Sequence, residues 1–359
     1  MDKVKTYCGL FGYFGPMLIL FFLITGGTAC KQEHLPTIST GGHDYAQVNL
    51  VADSADLGAL RVDSNLSTPW GMAVSPKGTI WICCNHSGKC VTYDVNGNQL
   101  YSPLATSLKG HQYGASPNGI TFNSTPDFTI YGEPVYCICS TEDGVLIAWI
   151  GGDSTITVAD RSSSGAVYKG IAIANDGTSN FIYATDFLNA KIDVYDRSFN
   201  YVTNKPFVDP GMPSGFAPFN ISNIGGKLFV TYAKQKGPSF HDEQNGVGNG
   251  YVDVFNADGS FIKRFASQGT LNSPWGIAQA PAAFGQITNA ILVSNYGDGH
   301  ITVFDTAGMY QGLIEDSGNP VSINGLCDIS FIGANSSQLY FTSAPAYQGS
   351  GIFGYIGAK

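Results

Sequence analysis

Charge is scarce in this chain. Asp, Glu, Lys and Arg make up 13% of 359 residues, against about a quarter in an average globular protein, so long helices with ion-paired faces are not expected. The apolar run MLILFFLI at residues 17–24 is too short to span a bilayer comfortably. No GxSxG elbow, HExxH pair, P-loop or dinucleotide-binding fingerprint occurs, which removes the most recognisable hydrolase, zinc-protease and nucleotide-binding readings. No CxxC pair occurs among the cysteines and His86 is the only histidine near them, so a zinc site is not expected. A net charge of −9 with a pI near 5 argues against nucleic acid and anionic membrane surfaces as partners.

What the chain has in plenty is glycine, 45 residues, with 17 prolines and 13% aromatics. That composition suits many short strands joined by tight turns. The strands repeat. TPWGMAVSP at residues 68–76 returns as SPWGIAQAP at residues 273–281. Between and beyond them the same order of elements recurs, an opening segment followed by short apolar runs bounded by Gly, Asn, Asp and Pro. The opening positions are Gly71, Gly119, Gly170, Asn220, Gly276 and Gly325, about 48 to 56 residues apart, so the two PWG segments lie four units apart. One small antiparallel sheet cannot bury both faces alone, whereas sheets stacked around an axis can. The expected fold is all-β, a six-bladed β-propeller over residues 45–359. The last unit ends after GIFGYIG without an outer strand, and YAQVNLVAD at residues 45–53 is expected to supply it, so that the N-terminal strand closes the ring and leaves no open edge.

The unit wording, an x-P-x-G-I-A opening and a strand reading I-x-V-[FY]-D, resembles NHL-type repeats. Across nearly the whole chain after residue 44, the phrases PWGIA, TEDG, YKGIAIA, GFAPFNI, GGKLFVTYAKQ, GNGYVDVF and DGHITVFD resemble a family of uncharacterised bacterial extracytoplasmic proteins. That resemblance implies a propeller and an exported location, and brings no established activity.

The first residues point the same way. Lys3 and Lys5, the apolar run and TGGTAC ending at Cys30 resemble a bacterial lipoprotein signal, with Gly27 departing from the usual Leu. The expected organisation is a signal peptide at 1–29, a lipidated tether at 30–44 with Cys30 acylated, and membrane attachment through that lipid. An ordinary secretory signal is the alternative. Lys31-Gln32-Glu33 resembles the charged tags of surface lipoproteins. The expected location is an outer-membrane lipoprotein, periplasmic or at the cell surface. In such an oxidising compartment Cys83, Cys84, Cys90, Cys137, Cys139 and Cys327 invite disulfides. Cys83 and Cys90 flank the turn NHSG, so Cys83–Cys90 or Cys84–Cys90 bridges are open readings, beside buried free thiols acting as small hydrophobes. Cys137 and Cys139, two apart, are expected on one strand face.

Ligands of propellers usually bind at the axial tunnel or its rim. The segments after the second strands place Asn85, Glu142, Asp186, Lys234, Tyr296 and Asp298 there, with Trp70 and Trp275 before the opening glycines. Their bland reading is turn chemistry and blade packing. Asn118, Asn220 and Asn324 lie just before or at the opening positions. This arrangement resembles gluconolactonase-like propellers, which implies a tunnel-bound Ca2+ or other divalent cation, with Glu142 and Asp328 as candidate carboxylates. The insertion KQKGPSFHDEQNGVGNG, residues 234–250 with His241, reads as a rim lid, a partner-binding loop or a plain surface loop. With no complete catalytic constellation, the expected role is a binding or scaffold module of the cell envelope, for a protein complex or a glycan and without a cofactor. The alternative is a metal-dependent lactonase.

Overall fold

A computed structural model of the chain describes residues 45–108, 114–285, 287–345 and 349–359, all within one unit, Ile38–Lys359. The expected signal segment, Cys30 and the tether lie outside the described residues. The described residues contain no α-helix and form a six-bladed β-propeller. Each blade counts outward from the axis. Blade 1 is Pro69–Val74, Ile80–Cys84, Lys89–Tyr93 and Leu104–Ala105, and blade 2 is Pro117–Phe122, Cys137–Thr141, Val145–Trp149 and Ile156–Asp160. Blade 3 is Tyr168–Asn175, Asn180–Asp186, Lys191–Tyr195 and Tyr201–Val202. Blade 4 is Phe216–Ile224, Lys227–Lys234, Gly250–Phe255 and Phe261–Ser267, and blade 5 is Pro274–Gln279, Ile291–Asn295, Ile301–Phe304 and Tyr310–Leu313.

Blade 6 closes the ring. Its strands Leu326–Phe331, Gln338–Ser343 and Ile352–Ala358 take Tyr45–Ala52 as the outer strand, with Gln47 opposite Ile356 and Val51 opposite Phe353. Arg61–Val62 then pairs parallel to that strand, so the sheet has five strands.

Both faces of each blade are covered, and strand alternation decides which neighbour each side chain meets. In the second strand of blade 1, Ile80, Ile82 and Cys84 pack towards blade 6 with Leu50, Tyr340 and Phe353. Trp81 and Cys83 pack towards blade 2 with Cys139 and Ile147. Six such clusters fill the six seams, and a seventh lies on the axis. The Asp that closes the third strand, in VYD, VFD and the related TYD, holds the next turn: the Oδ1 atoms of Asp94, Asp196 and Asp305 each accept two or more backbone N–H bonds.

The opening glycines serve close approach. A Cβ on Gly71 would lie 2.5 Å from the Asn118 carbonyl oxygen, and one on Gly276 would lie 2.7 Å from the Ile329 nitrogen. Blade 6 departs from the expected alignment. Its bulge falls between Leu326 and Ile329, so Asp328, not Gly325, occupies the position of Gly71. Gly325 sits in the preceding turn at φ 66°, which only glycine adopts at no cost.

Candidate functional site

Every inner strand carries an irregularity at the same place in its pairing with the second strand. A bulge adds a residue and re-aims side chains. The residues brought to equivalent places are Trp70, Asn118, Lys169, Phe219, Trp275 and Cys327, and all six are buried. Trp70 and Trp275 lie 4.8 Å apart between ring centroids, Trp70 stacks on Tyr296 at 4.9 Å, and Phe219 meets Trp275 edge-on at 4.7 Å. Together with Phe187 they plug the axis.

Above the plug, on the face where the second strands end, lies a polar chain. Asn85 Nδ2 donates to Asn118 Oδ1 at 3.0 Å, Asn118 Nδ2 donates to Glu142 Oε1 at 3.0 Å, and Lys169 Nζ donates to the same oxygen at 2.5 Å. The Lys169 ammonium also lies 5.8 Å from the Trp70 ring centre and 5.9 Å from that of Phe187. Burial alone would pull Lys169 down, but Glu142 and then Glu243 hold it above its usual value. Burial would raise Glu142, and Lys169 overrides it. Glu243, from the insertion of residues 234–250, is pushed up to about 7 by burial, with Lys169 opposing. That insertion is anchored rather than free: Gln235 Nε2 donates to the Phe187 and Leu188 carbonyls, and Gly246 N donates to Asn272 Oδ1.

The structure thus joins the rim candidates Asn85 and Glu142 with Asn118 of the expected cation site into one network. Trp70, Trp275 and Tyr296 are brought together as packing, with exposures of 6%, 0% and 7%, so neither of these two tryptophans is open for a sugar ring. Asp186 is buried and accepts bonds from Val167 N and from Asn189. Asp298 accepts from His300 N and Asn272 Nδ2. Lys234 is half-buried at a strand end and His241 lies exposed in the insertion.

The three asparagines of the expected cation site do not occupy matching places. Asn118 lies in the plug layer. Asn220 stands one residue further along its strand, its Oδ1 accepting Ile221 N and its Nδ2 donating to the Trp275 carbonyl. Asn324 is exposed in a turn, donating to the Pro345 carbonyl. Asn118 and Asn220 differ because the first precedes its opening residue and the second is that residue, and Asn324 is displaced by the blade 6 bulge, which sets Asp328 where the sequence reading had set Gly325.

On the other side of the plug the axis is open. A channel of about 470 Å3 passes Met72, Ile120, Ile171, Ile221, Ile277 and Ile329, one from each blade, but their side chains are buried in the seams, and the surface left facing the channel is mostly polar. Thr121, Ser222 and Ser330 supply hydroxyls further out, and Asn220 and Asp328 stand beside the plug layer. Asp328 is the one carboxylate lining it among the described residues. Burial pushes Asp328 up to about 7, against the pull of Met72 N and Ile329 N, which donate to its oxygens at 2.9 Å.

Sequence reasoning missed the device that holds the ring. In blades 2 to 6 a hydroxyl on the second strand, Ser140, Thr185, Thr231, Ser294 or Thr342, accepts the N–H of the opening position in its own blade. Each then donates to a plug-layer carbonyl of the next blade, over 2.5–3.4 Å. The signal was present as a Ser or Thr at one offset in CST, ATD, VTY, VSN and FTS. Blade 1 has Cys83 there.

No protein-family model matches the chain. Uncharacterized proteins L690 and R648 of Acanthamoeba polyphaga mimivirus are each 32% identical to it over 324 and 325 residues, covering 86% of this chain and 85% and 80% of their own lengths. Among solved structures, a streptogramin B lyase aligns with a TM-score of 0.53 at 12% identity, over 88% of this chain and 98% of its own. A putative gluconolactonase gives 0.54 at 13%, over 89% and 93%. The PQQ-bound aldose sugar dehydrogenase of Streptomyces coelicolor gives 0.52 at 14%, over 89% and 99%. At these identities the likeness is one of fold.

Proposed function

The chain belongs to the protein family that contains uncharacterized proteins L690 and R648 of Acanthamoeba polyphaga mimivirus, and we propose that it is an exported propeller acting as a binding module. Its axial channel receives a polar group of a protein partner. The observation that carries this reading is the channel itself, open at one end and closed by the aromatic plug at the other. Its volume lies in the range of about 300–1,000 Å3 typical of ligand sites, and the surface it presents is mostly polar.

A photo-crosslinking residue placed at Ser124, among the channel-lining positions, tests the reading. It is expected to form a discrete adduct with a protein of the source cell, and Ser222→Trp, which fills the channel, is expected to remove that adduct. An adduct that survives Ser222→Trp, or adducts to glycan only, would count against it. Export and lipidation rest on the chain's own Lys3, Lys5, residues 17–24 and Cys30. Cys30→Ser is expected to abolish incorporation of a labelled fatty acid and to move the protein out of the membrane fraction; unchanged labelling would refute lipid attachment at Cys30.

Propellers of this shape include enzymes, and Asp328 facing the channel favours a cation-dependent lactonase as the second reading. The residues present do not fit a hard cation well. Both Asp328 oxygens and Asn220 Oδ1 already accept backbone N–H bonds, and one carboxylate is few for Ca2+, which takes 6–8 oxygens. One equivalent of calcium in the purified protein, lost in Asp328→Ala, would favour the lactonase over the binding module.

A further inference from the structure

One seam of the ring lacks a hydroxyl latch. Where the other five blades carry Ser or Thr, blade 1 carries Cys83, whose Sγ stands 4.0 Å from the Gly119 carbonyl of blade 2. A thiol is a weak donor at that range, so the bond that ties each other blade to its neighbour is missing here. Two more thiols converge on the same spot. Cys90, the cross-strand partner of Cys83, places its Sγ 3.2 Å away. Cys139, from the second strand of blade 2, lies 3.5 Å from Cys83 and 3.9 Å from Cys90. Cys84 is not part of the group, because alternation turns it to the opposite face, towards blade 6.

We propose that Cys83, Cys90 and Cys139 form a three-sulfur site for a soft monovalent metal ion, Cu(I), which staples blade 1 to blade 2 where the latch is absent. An ion about 2.3 Å from each of three coplanar sulfurs holds them about 4 Å apart, so the thiols need to spread by less than about 1 Å. Soft thiolates without oxygen or nitrogen donors select soft ions. The side chains packed around them, Trp81, Leu104, Ile120 and Ile147, are apolar and buried and offer no hard donor, and the Gly119 carbonyl oxygen stands 4.0 Å from Cys83 Sγ. Zinc is four-coordinate in almost all structural sites. Cys137 shares the cluster but lies outside the set of mutually close sulfurs, which leaves three ligands and trigonal geometry. Each thiol that ligates releases its proton to solvent, and no oxidation is involved.

The test uses the full chain, purified under reducing, oxygen-free conditions and titrated with Cu(I) held by a competing chromophoric chelator. The expected result is one tightly held equivalent, a sulfur-to-copper charge-transfer band, three sulfur neighbours by X-ray absorption and a raised Tm. Cys139→Ser is expected to weaken binding at least about 100-fold, in line with losing one ligand of three, whereas Cys84→Ser keeps it. If Cys139→Ser does not fold, the absorption spectrum of the wild-type chain still decides. Failure to take up Cu(I), equal losses in Cys84→Ser and Cys139→Ser, zinc held more tightly with a nitrogen or oxygen ligand, or a Cys83–Cys90 disulfide in protein isolated without reductant would each overturn the proposal.

Discussion

The plugged and open halves of the axis are built from adjacent residues of the same six strands. At Trp70 and its equivalents the side chains are buried in one aromatic and polar layer. At Met72 and its equivalents, two residues on, the same strands surround a channel. The bulge between these positions makes the difference, by re-aiming one residue per blade across the axis. Among the described residues the six converging strands thereby surround a cavity beyond the plug, with the aromatic side chains gathered at the plug and the opening at the far mouth.

The largest contrast is expected from paired substitutions at the two ends. Trp275→Ala empties the most enclosed part of the plug and is expected to cost about 3–5 kcal/mol in urea unfolding. Ser222→Trp, placed in the channel at a half-buried position, is expected to change stability by less than about 1 kcal/mol. Comparable losses would mean that the channel end carries as much of the cohesion as the plug.

The latches come next. Thr342→Val keeps the shape but removes the bond that links blade 6 to the Trp70 carbonyl and leaves Asp328 N unpaired. The expected loss is about 1–3 kcal/mol, the cost of stranding buried polar groups. A change near zero would show that packing in the seam suffices without the hydroxyl.

A subtler difference separates the two residues that replace the opening glycine, Asn220 in blade 4 and Asp328 in blade 6. Asp328 titrates near 7 when folded and near 4 when unfolded. The folded state therefore binds more protons between those values, and stability falls as pH rises from about 4 to about 7, levelling off above. Asp328→Asn installs the blade 4 residue and is expected to flatten that slope in unfolding curves at pH 4.5 and 7.5. Differences taken against wild type at each pH cancel the parallel contribution of Glu243. An unaltered slope would place the titrating group elsewhere.

The propeller was legible because its warrant is repetition. Pro-x-Gly openings, apolar runs and turn aspartates each recur, and the missing outer strand of the last blade matched a spare strand at residues 45–53. The site was not legible at the same level. Asn324 and Gly325 mimic the opening phrase in NGL, yet the bulge falls three residues later, a register that depends on pairing with Gln338–Ser343. Lys169 and Glu142 went unremarked as partners because they come from neighbouring blades and meet only once the sheets stack. The tryptophans had two readings, rim and core, and sequence alone offered nothing to separate them before the stacking of Trp70 on Tyr296 was seen.

The smallest expected effect compares the cysteine seam with the five hydroxyl seams. Cys83→Ser gives blade 1 the group that its counterparts use, at a position facing the next blade. In metal-free, reduced protein the hydroxyl can accept the N–H of Gly71 and donate across the seam, as Ser140 does at Gly119 and Lys169. A net hydrogen bond contributes about 0.5–1.5 kcal/mol, offset in part by lost thiol packing against Cys90 and Cys139, so the variant is expected to gain up to about 1 kcal/mol. It is also expected to lose the rise in Tm on adding Cu(I). A loss of more than about 1 kcal/mol in the metal-free chain would assign the thiol to core packing. The same gain in Tm with copper in both proteins would place the metal elsewhere. Gain without metal and indifference to it, taken together, would mean that blade 1 gave up a latch for a staple.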